Sequence, residues 1–397
     1  MVQDIETNKV GDNATLEDGV VTGYNPDNKE EAFGSDWEFY LSCIGFAVGF
    51  GNVWRFPYML YSLGGACFLI PYLVCFLLIA VPLFLIETAY GQLVDAKLHT
   101  RWAIIVPRLW GVSVVQLFVC FFTVVYYVTL MAWSWSFFFA SFTSDLPWVL
   151  ESAAEGTEVS DLWNEDYFMK EVLEKTDNIT IQGGIVGNLL WCLILSYIVT
   201  YFSCWKGIHS TGKIVYVTCI APYVILTVLL IKGLTLEGFG KGLNFLFKPD
   251  WSKVADTNIW RKAATQILFS SGVAYGPFIY YGSARGRNRN LVQASFWVPL
   301  ANSATSLYAA LTVFSFLGHV ATTRGLELEE VVTSGPTLLF VAFPAFIGMF
   351  GGGVAVFFSI IFFFLCVNLG IDSTFGFFDY YVAIIHSAFP LFSKKVG

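Results

Sequence analysis

Charge is what this sequence has least of. Only 13% of its 397 residues are Asp, Glu, Lys or Arg, against 56% that are hydrophobic, whereas a soluble domain carries about 25% charged residues. From Cys67 to Leu85 no charged residue occurs, and a helix needs about 20 apolar residues to cross a bilayer. Metal-ligating patterns are absent too. The four histidines are scattered, and the eight cysteines (Cys43, Cys67, Cys75, Cys120, Cys192, Cys204, Cys219 and Cys366) lie within or beside apolar segments with no CxxC pair. They read as small packing residues. No nucleophile–base constellation or phosphate loop is present, so an enzyme is the weakest reading. No cleavable signal peptide is visible in the polar first 36 residues.

What charge there is collects at the amino end. Residues 1–36 hold nine acids against Lys9 and Lys29; such a run reads as a disordered, solvated acidic tail. Beyond it, hydropathy gives eight membrane segments, roughly 38–62, 66–91, 112–142, 185–204, 213–232, 260–284, 290–318 and 349–386, with a short amphipathic helix near 326–346. Lys97, Arg101 and Arg108, then Lys206 and Lys213, then Arg285, Arg287 and Arg289 occupy alternate loops. Basic residues in short loops mark the cytoplasmic side, which places the amino terminus inside and the 142–184 loop outside. That loop carries the glycosylation sequon Asn178-Ile179-Thr180. A second sequon, at Asn13, falls inside and is expected to stay unmodified.

Two segments are interrupted. The first carries Gly45, Gly49 and Gly51 within seven residues, and the sixth reads Gly272-Val273-Ala274-Tyr275-Gly276-Pro277. Each glycine costs about 1 kcal/mol in a helix interior. Taken alone, the glycines fit close helix packing equally well. Their placement, five segments apart, matches the paired broken helices that form transporter sites at the bilayer midplane. Unwound backbone at that depth must be satisfied by something other than lipid. Free carbonyls suit a cation and free N–H groups a carboxylate.

The residues that carry these features resemble those of the neurotransmitter:sodium symporter family. The matching stretches include GFAVGFGNVWRFPY from Gly45 to Tyr58, PLFLIETAYGQ from Pro82 to Gln92, KGIHSTGK from Lys206 to Lys213, ATQILFSSG from Ala264 to Gly272 and LGIDSTFG from Leu369 to Gly376. They spread over nearly all of the chain after residue 37. The resemblance implies an all-α integral membrane protein with an inverted-repeat core and discontinuous first and sixth helices. Residues 37–232 would be the first five-helix repeat and 233–397 a partial second one, since the family has twelve segments. The chain is then expected to be a fragment.

The resemblance also implies site residues. One sodium would take Ala47, Asn52, Ser270 and Asn302 with the solute's own carboxylate. A second would take backbone carbonyls of Gly45, Val48 and Leu369 with the side chains of Asp372 and Ser373. An acid such as Asp372 costs roughly 3 kcal/mol mid-membrane unless paired, and a cation supplies the pairing. Chloride would sit among Tyr72, Gln266, Ser270, Asn302 and Ser306. Chloride-independent bacterial relatives carry a carboxylate where Ser306 stands. The solute would be held by Gly49, Phe50, Gly51 and Tyr127 at its carboxylate and by Ala47, Phe269, Ser270 and Gly272 at its amine. Thr123, Tyr275, Ser373 and Phe377 would form the wall. Monoamine carriers have Asp at the position of Gly49, so glycine implies a small amino-acid-like zwitterion. Phe269 and Tyr127 would form a thin outer lid and Arg55 an outer gate.

Departures from the family pattern are specific. The acid that Arg55 would meet in a tenth segment is absent. Glu30 stands in place of a cytoplasmic Arg, Ser387 in place of an Asp, and Ala284-Arg285 in place of Tyr-Asn. The extracellular cysteines that pair in animal members are missing, while the intramembrane acid Glu87 is retained. The expected function is sodium-coupled, chloride-dependent symport by alternating access; the alternative is a sensor or accessory subunit that binds solute without moving it. A different pairing would then close the cytoplasmic side.

Overall fold

The computed structural model describes residues 16–17, 20–21, 32–94, 97–149, 165–178, 180–286, 289–331 and 335–389. The described residues are helical, apart from turns and one two-residue β pairing of Leu16–Glu17 with Val20–Val21. Most of the acidic stretch, including Glu30 and the Asn13 sequon, lies outside them, as does Arg287.

The chain runs through α1 (Asp36–Ala47), α2 (Phe56–Ser62), α3 (Gly65–Leu93), α4 (Pro107–Ala140), α5 (Gly187–Ser203), α6 (Ile208–Leu234), α7 (Phe239–Phe247), α8 (Thr257–Ser271), α9 (Pro277–Ser283), α10 (Val292–Arg324), α11 (Leu338–Gly348) and α12 (Gly352–Ala388). Five of these, α3, α4, α6, α10 and α12, are each long and apolar enough to cross a bilayer. The expected first and sixth segments are split into α1 with α2 and α8 with α9. The fourth is the 17-residue α5.

Local sequence explains the helix ends. Ser35 accepts a hydrogen bond from the Glu38 N–H at 3.2 Å and starts α1. Asp256 does the same for α8 through Asn258 at 2.9 Å. In α3, Pro82 cannot donate to the preceding turn, and Phe76–Ala80 just before it forms a π-turn. Phe33 to Asp36, assigned to the tail by composition, are packed: Phe33 sits edge-on to Phe39 and Tyr281, and its N–H donates to the Ala284 carbonyl at 3.2 Å.

Two cores form. One gathers Phe39, Cys43, Phe46, Tyr281, Phe375 and Tyr380 around α1, α9 and α12; the other runs from Val48 and Phe56 through α10 and α11 to Phe362. Within the region 326–346, where an amphipathic helix is expected, Leu338–Gly348 has no polar face. Leu338 to Phe343 are all buried, because Phe340 packs on Trp133, Phe137 and Phe168 while Phe343 stacks on Phe362 at 4.7 Å. A helix enclosed on every side needs no polar face.

Candidate functional site

Both interrupted segments unwind where the glycines lie. α1 ends at Ala47, Val48 is extended, and a π-turn over Gly51–Arg55 leads into α2. On the other segment, Gly272 (φ 71°), Ala274 (φ 72°) and Gly276 (φ 112°) are all left-handed between α8 and α9. Glycine takes that conformation without a steric penalty; alanine does not. The Ala274 turn is held by Glu87 on α3, whose Oε1 accepts the Ala274 N–H at 3.0 Å. The intramembrane acid therefore fixes the break, a role that its position in the sequence did not disclose.

The two breaks face each other across a small cavity. Phe46, Ala47, Gly49, Gly51, Asn52, Thr123, Tyr126, Tyr127, Phe269, Ser270, Gly272, Tyr275, Ser373 and Phe377 line it. Every expected solute residue except Phe50 is among them. Phe50 instead turns its N–H to the Tyr127 hydroxyl at 3.1 Å and its ring against the Tyr127 ring. Phe46 and Tyr126 are additional. Tyr126 adjoins Tyr127 on α4, and Phe46 adjoins Ala47, so each enters the wall through a neighbour already expected there. No lining side chain carries a formal charge.

The residues expected around the first sodium are together. The Asn52 Nδ2 donates to the Asn302 carbonyl at 3.0 Å, to Asn302 Oδ1 at 2.8 Å and to Ser306 Oγ at 2.8 Å. Its Oδ1 accepts from the Gly49 N–H at 2.9 Å. Asn302 Nδ2 donates to Ser270 Oγ at 3.2 Å. All four side chains are buried. Amide and hydroxyl oxygens at this density are the ligands a hard cation takes.

Asp372, expected at the second sodium, is 4% exposed, and its Oδ1 has no hydrogen-bond partner among the described residues. Its other oxygen packs on Gly45: a Cβ there would lie 2.9 Å from Oδ2. Ser373 Oγ donates to the Phe46 carbonyl at 3.2 Å, and also to that of Leu369 at 3.5 Å. Gly45, Val48, Leu369, Asp372 and Ser373 are thus gathered where α1 unwinds against α12.

Gln266 on α8 is fully buried, with neither Nε2 nor Oε1 partnered among the described residues. A buried amide left so costs free energy unless something satisfies it. Tyr72, expected beside it, donates its hydroxyl to Ser303 at 3.2 Å, a contact that only the packing of α3 on α10 makes visible. Arg55 lies with its guanidinium carbon 4.5 Å from the centroid of the Phe269 ring. Asn178 is exposed in the loop before α5.

This geometry defines an integral, multi-pass membrane protein whose two broken helices meet at an uncharged, oxygen-rich cavity. The sequence matches the sodium:neurotransmitter symporter family over residues 30–396, and the chain belongs to that family. It is 35% identical to the sodium-dependent serotonin transporter of Drosophila melanogaster over 374 residues, covering 91% of this chain and 60% of that protein. To the sodium- and chloride-dependent creatine transporter 1 of Bos taurus it is 35% identical, covering 87% and 58%. To the human sodium- and chloride-dependent neutral and basic amino acid transporter B(0+) it is 33% identical, covering 94% and 65%. The chain therefore spans 58–65% of the length of these relatives. Membership of a symporter family disposes of the enzyme reading.

Proposed function

We propose that the protein mediates sodium-coupled, chloride-dependent symport of a small zwitterion related to an amino acid. The observation that carries this is the uncharged cavity at the meeting of the two helix breaks. A site without fixed charge suits a solute that brings both of its own. Its carboxylate would meet the Tyr127 hydroxyl and the N–H groups near Gly51, and its amine the carbonyls around Ala47, Phe269 and Gly272.

Sodium would bind at Ala47, Asn52, Ser270 and Asn302, and again at Gly45, Val48, Leu369, Asp372 and Ser373. The unpartnered oxygen of Asp372 supports the second site. Chloride would bind by Tyr72, Gln266, Ser270, Asn302 and Ser306, supported by the unpartnered Gln266. Each sodium entering down a 100 mV potential gains about 2.3 kcal/mol. Solute and first sodium share Ala47 and Ser270, so binding one favours the other. Residues 37–232 and 233–397 would belong to two inverted repeats that rock about the site. The amino terminus would be cytoplasmic, the protein resident in the plasma membrane and Asn178 glycosylated.

The test is uptake of labelled amino acids, GABA, betaine and taurine by the whole protein in proteoliposomes, repeated without sodium and then without chloride. Uptake of at least one solute that collapses in either omission is expected. Saturable binding with no uptake of any solute would overturn the proposal in favour of a sensor.

A further inference from the structure

At the end of α12, Ser387 Oγ accepts the backbone N–H of His99 at 3.2 Å and meets His99 Nδ1 at 2.8 Å. The start of α1 is held elsewhere. Asp36, its first residue, accepts from Arg289 at 2.9 Å and lies 3.5 Å from Arg285. Both arginines follow α9, so the contact joins the ends of the two broken segments that lie away from the cavity.

The two ion pairs differ in kind. The Arg289 side chain is 61% exposed, and a pair that open to water contributes little alone. Arg285 is 5% exposed. Its guanidinium stacks 4.2 Å from the Phe39 ring centroid and 5.4 Å from that of Tyr40, both on α1. Its Nε and Nη1 have no hydrogen-bond partner among the described residues. Asp36 is therefore the anion that this buried cation has. Removing it would strand a desolvated charge, which is far more costly than opening a surface pair. Two further contacts fix the geometry. Phe33 donates its N–H to the Ala284 carbonyl, and Gln92 Nε2 donates to the carbonyls of Gly286 at 2.7 Å and Arg289 at 3.2 Å.

We propose that Asp36, gripped by Arg289 and by Arg285, whose guanidinium is clamped by the Phe39 and Tyr40 rings, is the latch that closes the cytoplasmic side of the solute pathway. It rests on the alternating-access reading above. Opening toward the cytoplasm requires α1 to part from α9, which breaks both ion pairs and pulls Phe39 off the Arg285 guanidinium in one movement. Sodium and solute bound at the inner ends of the same two segments would act on the latch through α1.

Cys43 reports the movement. It is fully buried on α1, in the same cluster as Phe39, Tyr281 and Ala284. Membrane vesicles of the whole protein are exposed to a charged methanethiosulfonate reagent from the cytoplasmic side, with Cys43→Ser identifying the signal. In the wild type, sodium and solute should change the labelling rate. Asp36→Asn should raise it about tenfold and Asp36→Arg further still, as the closed population falls. Asp36→Arg combined with Arg285→Asp exchanges the charges of the buried pair and should bring the rate back toward that of the wild type. If the wild type responds to sodium while Asp36→Asn and Asp36→Arg label as it does, the latch is wrong and the transport reading stands. If wild-type labelling ignores sodium and every solute, the alternating-access reading fails and the latch fails with it.

Discussion

The guanidinium of Arg55 rests on the face of Phe269, 4.5 Å from the ring centroid, and the two lie on opposite broken segments. One residue belongs to the π-turn leading into α2 and the other to the last turn of α8. Phe269 also lines the cavity, so this contact roofs the solute site. A cation held against a ring contributes about 0.5–2 kcal/mol.

Arg55→Ala should therefore raise the half-saturating solute concentration by about threefold to thirtyfold, read from uptake kinetics. Lysine should restore only part of the loss, since its ammonium lacks the planar surface that stacks on a ring. Full recovery in Arg55→Lys would mean that charge alone matters at this position.

Gly49 leaves space that the site uses. A Cβ at that position would collide with the Tyr127 hydroxyl and stand 2.7 Å from Ser373 Oγ. Gly49→Asp should displace both groups and abolish uptake of zwitterions. It should also lower stability by about 1–3 kcal/mol, the usual range for overpacking. Thermal unfolding in detergent alongside uptake measures both effects, and retained uptake of the original solute would remove Tyr127 from the carboxylate site.

Gly45 plays the same part beneath Asp372. Gly45→Ala would bring a methyl group 2.9 Å from Asp372 Oδ2, closer than van der Waals contact allows. Its expected effect is a sodium requirement raised severalfold. Asp372→Asn keeps the shape and removes the charge, so sodium stimulation should be lost outright. Sodium titrations of uptake in the two variants distinguish a change in shape from a change in charge.

Gln266 has no partner for its buried amide among the described residues, and Ser306 stands four residues from Asn302 on the face of α10 that Asn52 also meets. Introducing a fixed anion with Ser306→Glu should make uptake largely independent of chloride. An unaltered chloride requirement in that variant would place the anion elsewhere.

At the α12 end, His99 supplies a pH dependence. Burial, with Lys97 adding to it, holds the imidazole pKa below its ordinary value. A histidine with a depressed folded pKa disfavours protonation, so its contribution to stability is present above the unfolded pKa of about 6.5 and is lost as pH falls through the folded value. Thermal stability of the wild type should drop more steeply than that of His99→Gln between about pH 7 and pH 5; parallel curves would show that His99 is not the responsible group.

Much of this was written along the chain. Scarce charge and long apolar runs specify spanning helices, because unpaired backbone and charge are costly in lipid. Glycine clusters at 45–51 and 272–276 mark where two of those helices must unwind, since backbone freedom is a local property. Most of the cavity lining was anticipated through the family resemblance: Phe46 to Asn52 and Phe269 to Tyr275 adjoin the breaks, whereas Thr123, Tyr126, Tyr127, Ser373 and Phe377 are brought in by α4 and α12. Other features depended on which helices meet. The burial of Leu338–Gly348 comes from rings on α4 and α12, so its own pattern misled. Tyr72 found Ser303, Glu87 found the Ala274 N–H, and Asp36 found two arginines about 250 residues away. Packing brings such groups together through the sum of many weak contacts, and no periodicity within one segment encodes its partner on another.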